Sequence, residues 1–183
     1  MNKNIIDNIL HKNDFNDIAN IIMENEDFTW SYIREIEGKE FYDNSTTNLF
    51  YMVHNLYRVT KKHEPVIDHY YEILNPLTSN LSKMGLKWWR IKCNLFPSTE
   101  TLQEHALHVD NYDPHLAGIF SLNTCDGYTK FEDGTKIDSV ANRFFLFDGA
   151  MRHASTTTTN APARFNINFN FYPIDTDVFD EEK

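Results

Sequence analysis

Residues 164–171 alternate without exception. Arg164, Asn166, Asn168 and Asn170 fall on one face of an extended chain, and Phe165, Ile167, Phe169 and Phe171 fall on the other. A strict period of two fixes a strand with two chemically opposed faces. On a simple surface sheet the polar face would meet water. The neighbouring sequence argues for something more closed. Short apolar or alternating runs lie at 86–96, 103–109, 116–123, 128–132, 136–139, 143–147, 153–158 and 164–172. Turn signals divide them, among them Asp113-Pro114, Asp126-Gly127, Asp133-Gly134 and Asp148-Gly149. So dense a series of short strands predicts a double-sheet jelly roll or barrel. One face of each sheet then points inward. If the Phe/Ile face packs under helices, the Arg/Asn face lines the interior, where unpaired polar groups are costly. The strand therefore implies a polar, anionic ligand in the barrel mouth.

Residues 1–85 read as a mostly helical support. Asp14 is an N-cap candidate ahead of Phe15, Ile18, Ala19, Ile21 and Ile22, which have helical spacing. A second helix is expected over 64–83, with Pro65 near its first turn and Pro76 kinking or splitting it. Residues 48–60, rich in Phe, Tyr and Val, are expected to hold one strand. Trp88 and Trp89 read as a core pair on opposite faces. Residues 173–183 form an acidic tail. The fold class expected is α+β and mainly β. It is one 183-residue domain with a helical support (1–85), a double-stranded β-helix core (86–172) and a tail (173–183).

Composition narrows the function. Seventeen Lys+Arg against 27 Asp+Glu give a net charge of −10, which disfavours nucleic acid or an anionic membrane as partner. Cys93 and Cys125 form no C-x-x-C pair, so no zinc-thiolate knuckle or disulfide framework is expected. Residues 1–7 lack the apolar stretch of a signal peptide, and no apolar run reaches membrane-spanning length. The expectation is a cytoplasmic protein with reduced cysteines. Frequent Asn, Ile and Lys fit a bacterial or phage source. Oligomeric state is not readable.

His108-Val109-Asp110 places an imidazole and a carboxylate on the same side of a strand. His153 opens another strand 45 residues on. Two His and one carboxylate form a facial triad that leaves metal positions open, the arrangement of non-heme Fe(II) oxygenases. An isolated H-x-D carries little weight. The β-rich setting, the second His and Arg164, 11 residues after His153, raise it. Of the other histidines, His105 and His115 are expected at the surface near the site, and His11, His54, His63 and His69 as solvated or structural residues. Arg143 is expected to pair with a nearby acid, and 156–159 to be a β-branched strand.

Residues 86–172 resemble the Fe(II)/2-oxoglutarate-dependent dioxygenases, particularly the prolyl-hydroxylase-like branch. The pattern is H-x-D, a distal His 40–60 residues on, and an Arg roughly ten further. Arg164-Phe165-Asn166 resembles the family's R-x-S with Asn for Ser. Gly127–Gly134 and Ala141–Asp148 resemble the strands between the metal ligands. The resemblance implies a double-stranded β-helix in which His108, Asp110 and His153 hold Fe(II) and Arg164 receives the distal carboxylate of 2-oxoglutarate. O2-dependent hydroxylation, with decarboxylation of 2-oxoglutarate to succinate, would follow. Asp110, absent in related halogenases, favours hydroxylation. Zn²⁺ or Ni²⁺ is able to replace iron at such a site. Two tyrosines that contact the cosubstrate in relatives are replaced by Phe96 and Ser121, and Asn94 and Asn166 are expected to supply hydrogen bonds instead. The prime substrate is expected to be a protein or peptide residue, prolyl included, or a small molecule. The alternative is a non-catalytic, cupin-like protein that binds metal or an anion.

Overall fold

The computed structural model describes residues 3–34 and 49–173. Its strands are β1 (Asn4–Asp7), β2 (Ser31–Ile33), β3 (Tyr51–Val59), β4 (Pro65–Ile67), β5 (Trp88–Pro97), β6 (Leu116–Ser121), β7 (Tyr128–Phe131), β8 (Lys136–Asp138), β9 (Arg143–Asp148), β10 (His153–Ala154) and β11 (Ala163–Phe171). The helices are α1 (Lys12–Met23) and α2 (Asn75–Lys83). A large antiparallel sheet runs in the order β1-β9-β6-β11-β5-β3-β2, with β4 also on β3, and faces a small sheet, β10-β7-β8. This is the expected mainly β, double-stranded β-helix jelly roll.

The alternating strand is β11, held between β5 and β6 at the middle of the large sheet. Ile167, Phe169 and Phe171 are fully buried against Ile18 and Ile22 of α1 and Leu77 and Leu81 of α2. Phe169 and Phe171 stack at 5.7 Å. The apolar face thus packs under the helices. The opposite face is also closed: Arg164 and Asn170 are 0% exposed, Asn166 2% and Asn168 5%. A second apolar cluster of Ile119, Phe131, Ile137, Phe145 and Phe147 fills the space between the sheets and leaves the polar part of the interior to one side.

The N-terminal half holds more strand than its helical reading. β1 pairs with β9, and β2 and β4 both pair with β3. The helix expected over 64–83 begins later. Thr60 and Glu64 close a hairpin, with His63 at φ 61, so Pro65, Val66 and Ile67 lie along β3 as a strand. β-branched residues favour that choice. A 3-10 turn at Tyr71–Leu74 leads into α2, where Pro76 stands in the first turn and starts the helix instead of kinking it. In α1 the N-cap is His11, and Asp14 lies in the first turn, where its charge suits the helix dipole. The strand expected at 103–109 is reduced to two isolated bridges, Glu104 with Thr156 and His108 with His153. Trp88 packs on the helix-side core and Trp89 lies 6.1 Å from the His115 ring. Of the expected acidic tail, all but Pro173 lies outside the described residues. No helix among the described residues is long and apolar enough to cross a membrane.

Gly118 on β6 sits where the helix-side rings close on the sheet. A Cβ there would lie 2.6 Å from Phe144 Cζ and 2.9 Å from Phe171 Cε2. Gly118→Ala is expected to cost roughly 1–3 kcal/mol by overpacking, read as a lowered urea midpoint at unchanged slope. Wild-type stability would mean the two rings can give way.

Candidate metal centre and cosubstrate pocket

His108 and His153 face each other across their bridge, each backbone N–H donating to the other's carbonyl at 2.9 Å. Their ring centroids are 4.7 Å apart. With Asp110 they form a cluster whose potential ligand atoms all lie within 4.8 Å of one another. Each imidazole meets a carbonyl at Nδ1: Ala106 O at 3.2 Å for His108 and Met151 O at 3.0 Å for His153. A carbonyl only accepts, so Nδ1 carries a hydrogen and Nε2 is the nitrogen left for a metal. Burial holds His153 below the ordinary imidazole range, outweighing the pull of Asp110, and favours the neutral ligand form.

Asp110 is held from several sides. Asn168 and Asn170 each donate a side-chain N–H to its Oδ2 at 2.9 Å. Arg90 Nη2 lies 3.4 Å from Oδ1, and Arg90 Nε donates to Asn170 Oδ1 at 2.7 Å. Burial alone would raise the carboxyl. Arg90, His153, Lys92 and the Asn170 hydrogen bond overcome it and hold the group well below the usual carboxylate range. Oδ1 also lies 4.0 Å from His108 Nε2. With Oδ2 engaged by two amides, Oδ1 is the oxygen turned toward the histidines. Two members of the polar face of β11 therefore serve a protein carboxylate rather than a ligand. The donor set of two imidazoles, each with Nε2 turned away from its carbonyl partner, and one ionised carboxylate suits Fe(II).

Arg164 lies deeper and is differently placed. Its Nη2 donates to Thr129 Oγ1 at 2.9 Å, while Nε and Nη1 are buried without a hydrogen-bond partner among the described residues. The guanidinium carbon is 5.6 Å from the Phe96 ring centre. Burial brings its pKa down to about 10, which leaves it cationic at neutral pH. At Gly127 a Cβ would lie 2.7 Å from Arg164 Cδ, so the glycine makes room for the side chain. A fully buried cation with two idle donors lacks an anion.

Thr129 and Phe96, which touch Arg164, line a pocket that also contains the three candidate ligands. Asn94 and Asn166 are in its wall, with Asn94 Nδ2 donating to Asn166 Oδ1 at 2.9 Å and Asn94 Oδ1 buried without a donor. Ser121 pairs with Asn166 across β6 and β11. Its hydroxyl is buried and partnerless among the described residues, but it is not part of the pocket lining. Several lining residues escaped the sequence reading: Tyr51, Lys92, Thr129 and Ser155; Asn168 lies on the interior face that the alternation identified. Tyr51 stacks on Phe96 at 5.5 Å, so a tyrosine does reach the pocket, from β3. Thr129 was accessible from alternation with buried Phe131; Tyr51 depends on strand register.

His105 and His115 are buried rather than at the surface, with 6% and 5% exposure. His105 shares a 2.7 Å hydrogen bond with Ser155 Oγ, and burial, then the nearby Arg164 charge, push its pKa down to about 3. His115 donates from Nδ1 toward Asp113 O at 2.8 Å and packs on Gly149. Neither belongs to the candidate metal cluster. His54 is pinned between Thr29 O at 2.7 Å and Asp68 at 3.2 Å. Arg143 pairs with Asp7 at 2.6 and 2.9 Å. Thr156, Thr157 and Thr158 are buried, though only isolated bridges run through them.

The sequence matches no protein-family model and no curated protein. Solved structures do match. A prolyl hydroxylase from Trichoplax adhaerens, in complex with a hypoxia-inducible-factor peptide, superposes with a TM-score of 0.65 at 14% identity over 93% of this chain and 83% of that one. A 2OG-Fe(II) oxygenase family protein from Burkholderia pseudomallei gives 0.69 at 12%, over 93% and 84%. A viral collagen prolyl hydroxylase from Paramecium bursaria Chlorella virus-1, in complex with 2OG, gives 0.62 at 11%, over 93% and 96%. At these identities the likeness is one of fold, and it extends over nearly all of the chain. The resemblance read from the sequence is borne out at that level.

Asn168→Ala and Asn170→Ala are each expected to weaken Zn²⁺ or Co²⁺ binding by roughly 10–100-fold, the usual effect of removing a group that orients a ligand. Isothermal titration reads this directly. Unchanged affinity in both would show that Asp110 needs no such support.

Proposed function

We propose that the chain is an Fe(II)- and 2-oxoglutarate-dependent dioxygenase that hydroxylates a protein or peptide residue, prolyl residues included, with a small molecule as the other substrate class. Buried Arg164 carries this reading. Arg164 itself lies behind the pocket lining, against Thr129 and Phe96, and its idle Nε and Nη1 call for an anion at that end of the pocket that also holds the His-Asp-His cluster. A dicarboxylate cosubstrate meets both demands: one end chelates the metal and the other ion-pairs with a bidentate guanidinium. The structural neighbours include prolyl hydroxylases, one of them with a peptide bound, which supports the peptide class.

In this reading His108, Asp110 and His153 occupy three positions on the metal and leave the rest open. When bound, iron with 2-oxoglutarate supplies O2-dependent oxidation coupled to decarboxylation of the cosubstrate to succinate. The chain's own contribution is placement. Arg164 and Thr129 fix the distal carboxylate. Asn94 and Asn166 offer the hydrogen bonds that tyrosines provide in relatives, and Asn94 Oδ1 accepts a donor hydrogen. Ser121, behind Asn166, supports that wall. Arg90 above all keeps Asp110 ionised, and Asn168 and Asn170 engage Oδ2 so that Oδ1 faces His108. Ile119, Phe131 and Phe147 close the apolar side against water. Free, buried Cys93 and Cys125 fit a cytoplasmic location. A cupin-like protein that holds the anion without turnover would use the same Arg164, and turnover separates the two.

Fe(II) and 2-oxoglutarate added without oxygen are expected to give the visible charge-transfer band of the chelate, and O2 then to yield succinate. His108→Ala and Asp110→Ala should abolish the band. Wild-type protein that binds no Fe(II) would sink the reading; a band without succinate would favour the binding protein. Arg164→Ala should weaken 2-oxoglutarate by about 30-fold or more, the scale for removing one partner of a buried charge pair, with metal affinity retained. Unaltered 2-oxoglutarate affinity would remove Arg164 from its role.

A further inference from the structure

Ser155 lines the pocket, and His105 reaches it only through Ser155. The two are tied twice. His105 N–H donates to Ser155 O at 2.9 Å, and His105 Nδ1 lies 2.7 Å from Ser155 Oγ. Register places the serine. His153 pairs with Phe131 and Ala154 with Lys130, so one step on Ser155 stands beside Thr129. Tyr128 N–H donates to Thr156 Oγ1 at 2.9 Å and carries the same register further. On an extended chain His153 and Ser155 share a side, and both face the pocket. The Phe96 ring lies 5.3 Å from the His105 ring and 5.6 Å from the Arg164 guanidinium carbon. Ser155 therefore stands at the Arg164 end of the pocket, one alternation from the metal cluster.

The direction of the 2.7 Å bond decides what this serine can do. Burial keeps His105 neutral, so one ring nitrogen carries a hydrogen and the other does not. Nε2 is buried without a partner among the described residues. A hydrogen there would be an orphaned buried N–H, which folded proteins rarely tolerate; a bare nitrogen leaves only an unused acceptor. The hydrogen therefore belongs on Nδ1, which donates to Ser155 Oγ. The serine's own proton is then free to turn into the pocket. Thr129 is in the same state, since its Oγ1 accepts from Arg164 Nη2 and keeps its proton to give. Two hydroxyl protons thus accompany the idle Nε and Nη1 of Arg164 at one end of the pocket. A set made only of donors suits a carboxylate.

We propose that Ser155 is a further contact for the distal carboxylate of the cosubstrate, with His105 as its positioning residue: the imidazole donates from Nδ1 to Ser155 Oγ and so directs the serine proton to the anion. This rests on the oxygenase reading and adds a binding group and its support to it. Long-range 1H–15N spectra of the full wild-type chain are expected to show the His105 hydrogen on Nδ1 and a bare Nε2, with the spectrum of His105→Asn assigning the signals. Calorimetry then follows 2-oxoglutarate binding to the Zn²⁺-loaded chain. Ser155→Ala is expected to weaken it by roughly tenfold or more, the scale of a hydrogen bond to a charged group, with Zn²⁺ affinity retained. His105→Leu should weaken it in the same direction. His105→Asn, whose amide offers an N–H near the Nδ1 position, should recover most of that loss. Melting curves check that each variant folds, and the wild-type spectrum stands without them. A hydrogen on Nε2, a folded Ser155→Ala protein that binds 2-oxoglutarate as wild type does, or a folded His105→Asn protein no better than His105→Leu would each overturn this proposal and leave the oxygenase reading intact. Wild-type protein that takes up Zn²⁺ but no 2-oxoglutarate would sink the oxygenase reading itself, and the role of Ser155 with it.

Discussion

β11 is buried on both faces, and one of those faces is polar. Most central strands covered on both sides are apolar throughout. Here the sheet has helices beneath it and a functional interior above it, so the strand must satisfy two opposite chemistries at successive residues. A slip of one position would drive Arg164 and three asparagines into the helix-side core and leave four apolar side chains facing the pocket. Each displaced polar group would lose its partners. The register of β11 is consequently among the most strongly specified features of the fold, and it places Asn166 against Ser121 and Asn94, and Asn168 and Asn170 against Asp110.

Two buried charges follow from that strand. Asp110 is compensated fully: two amides, Arg90 and the facing histidines surround it. Arg164 is compensated only in part, by one threonine hydroxyl and an aromatic ring. Under the proposed function, the contrast is that between a group prepared for a cation beside it and one prepared for an anion. A carboxylate needs fixing before it can serve as a ligand, whereas a guanidinium that must accept an incoming carboxylate has to keep donors idle.

The sequence was most readable where local periodicity and function coincide. Alternation in 164–171 exposed the polar interior face, and i, i+2 spacing brought His108 and Asp110 together. Turn signals located β5 through β9 and β11 closely. Reading failed where pairing between distant segments decides the conformation. Val66 and Ile67 have helix-compatible spacing, but the hairpin at His63 supplies β3 as a partner. β1 and β2 are too short to announce themselves and exist through β9 and β3. Tyr51 enters the pocket only through its register with Phe96. His105 and His115 look like loop residues in one dimension and are covered by Ser155, Phe96 and Gly149 in three.

The bridge between His108 and His153 is a two-bond contact between segments that hardly qualify as strands: β10 has two residues, and 103–109 carries isolated bridges, with further backbone bonds from His105 to Ser155 and from Thr157 to Gln103. That edge of the small sheet is stitched by four backbone bonds in an irregular ladder rather than by a continuous strand. An ion gripped by both imidazoles and by Asp110, itself tied to β11, would fasten the small sheet to the large one. Occupancy then becomes a term in folding by mass action, worth about 2.7 kcal/mol when free ion exceeds its dissociation constant a hundredfold. The metal-loaded and metal-free chains would differ in resistance to heat and to proteolysis at this edge, so the ion would act as a mechanical fastener as well as a reagent.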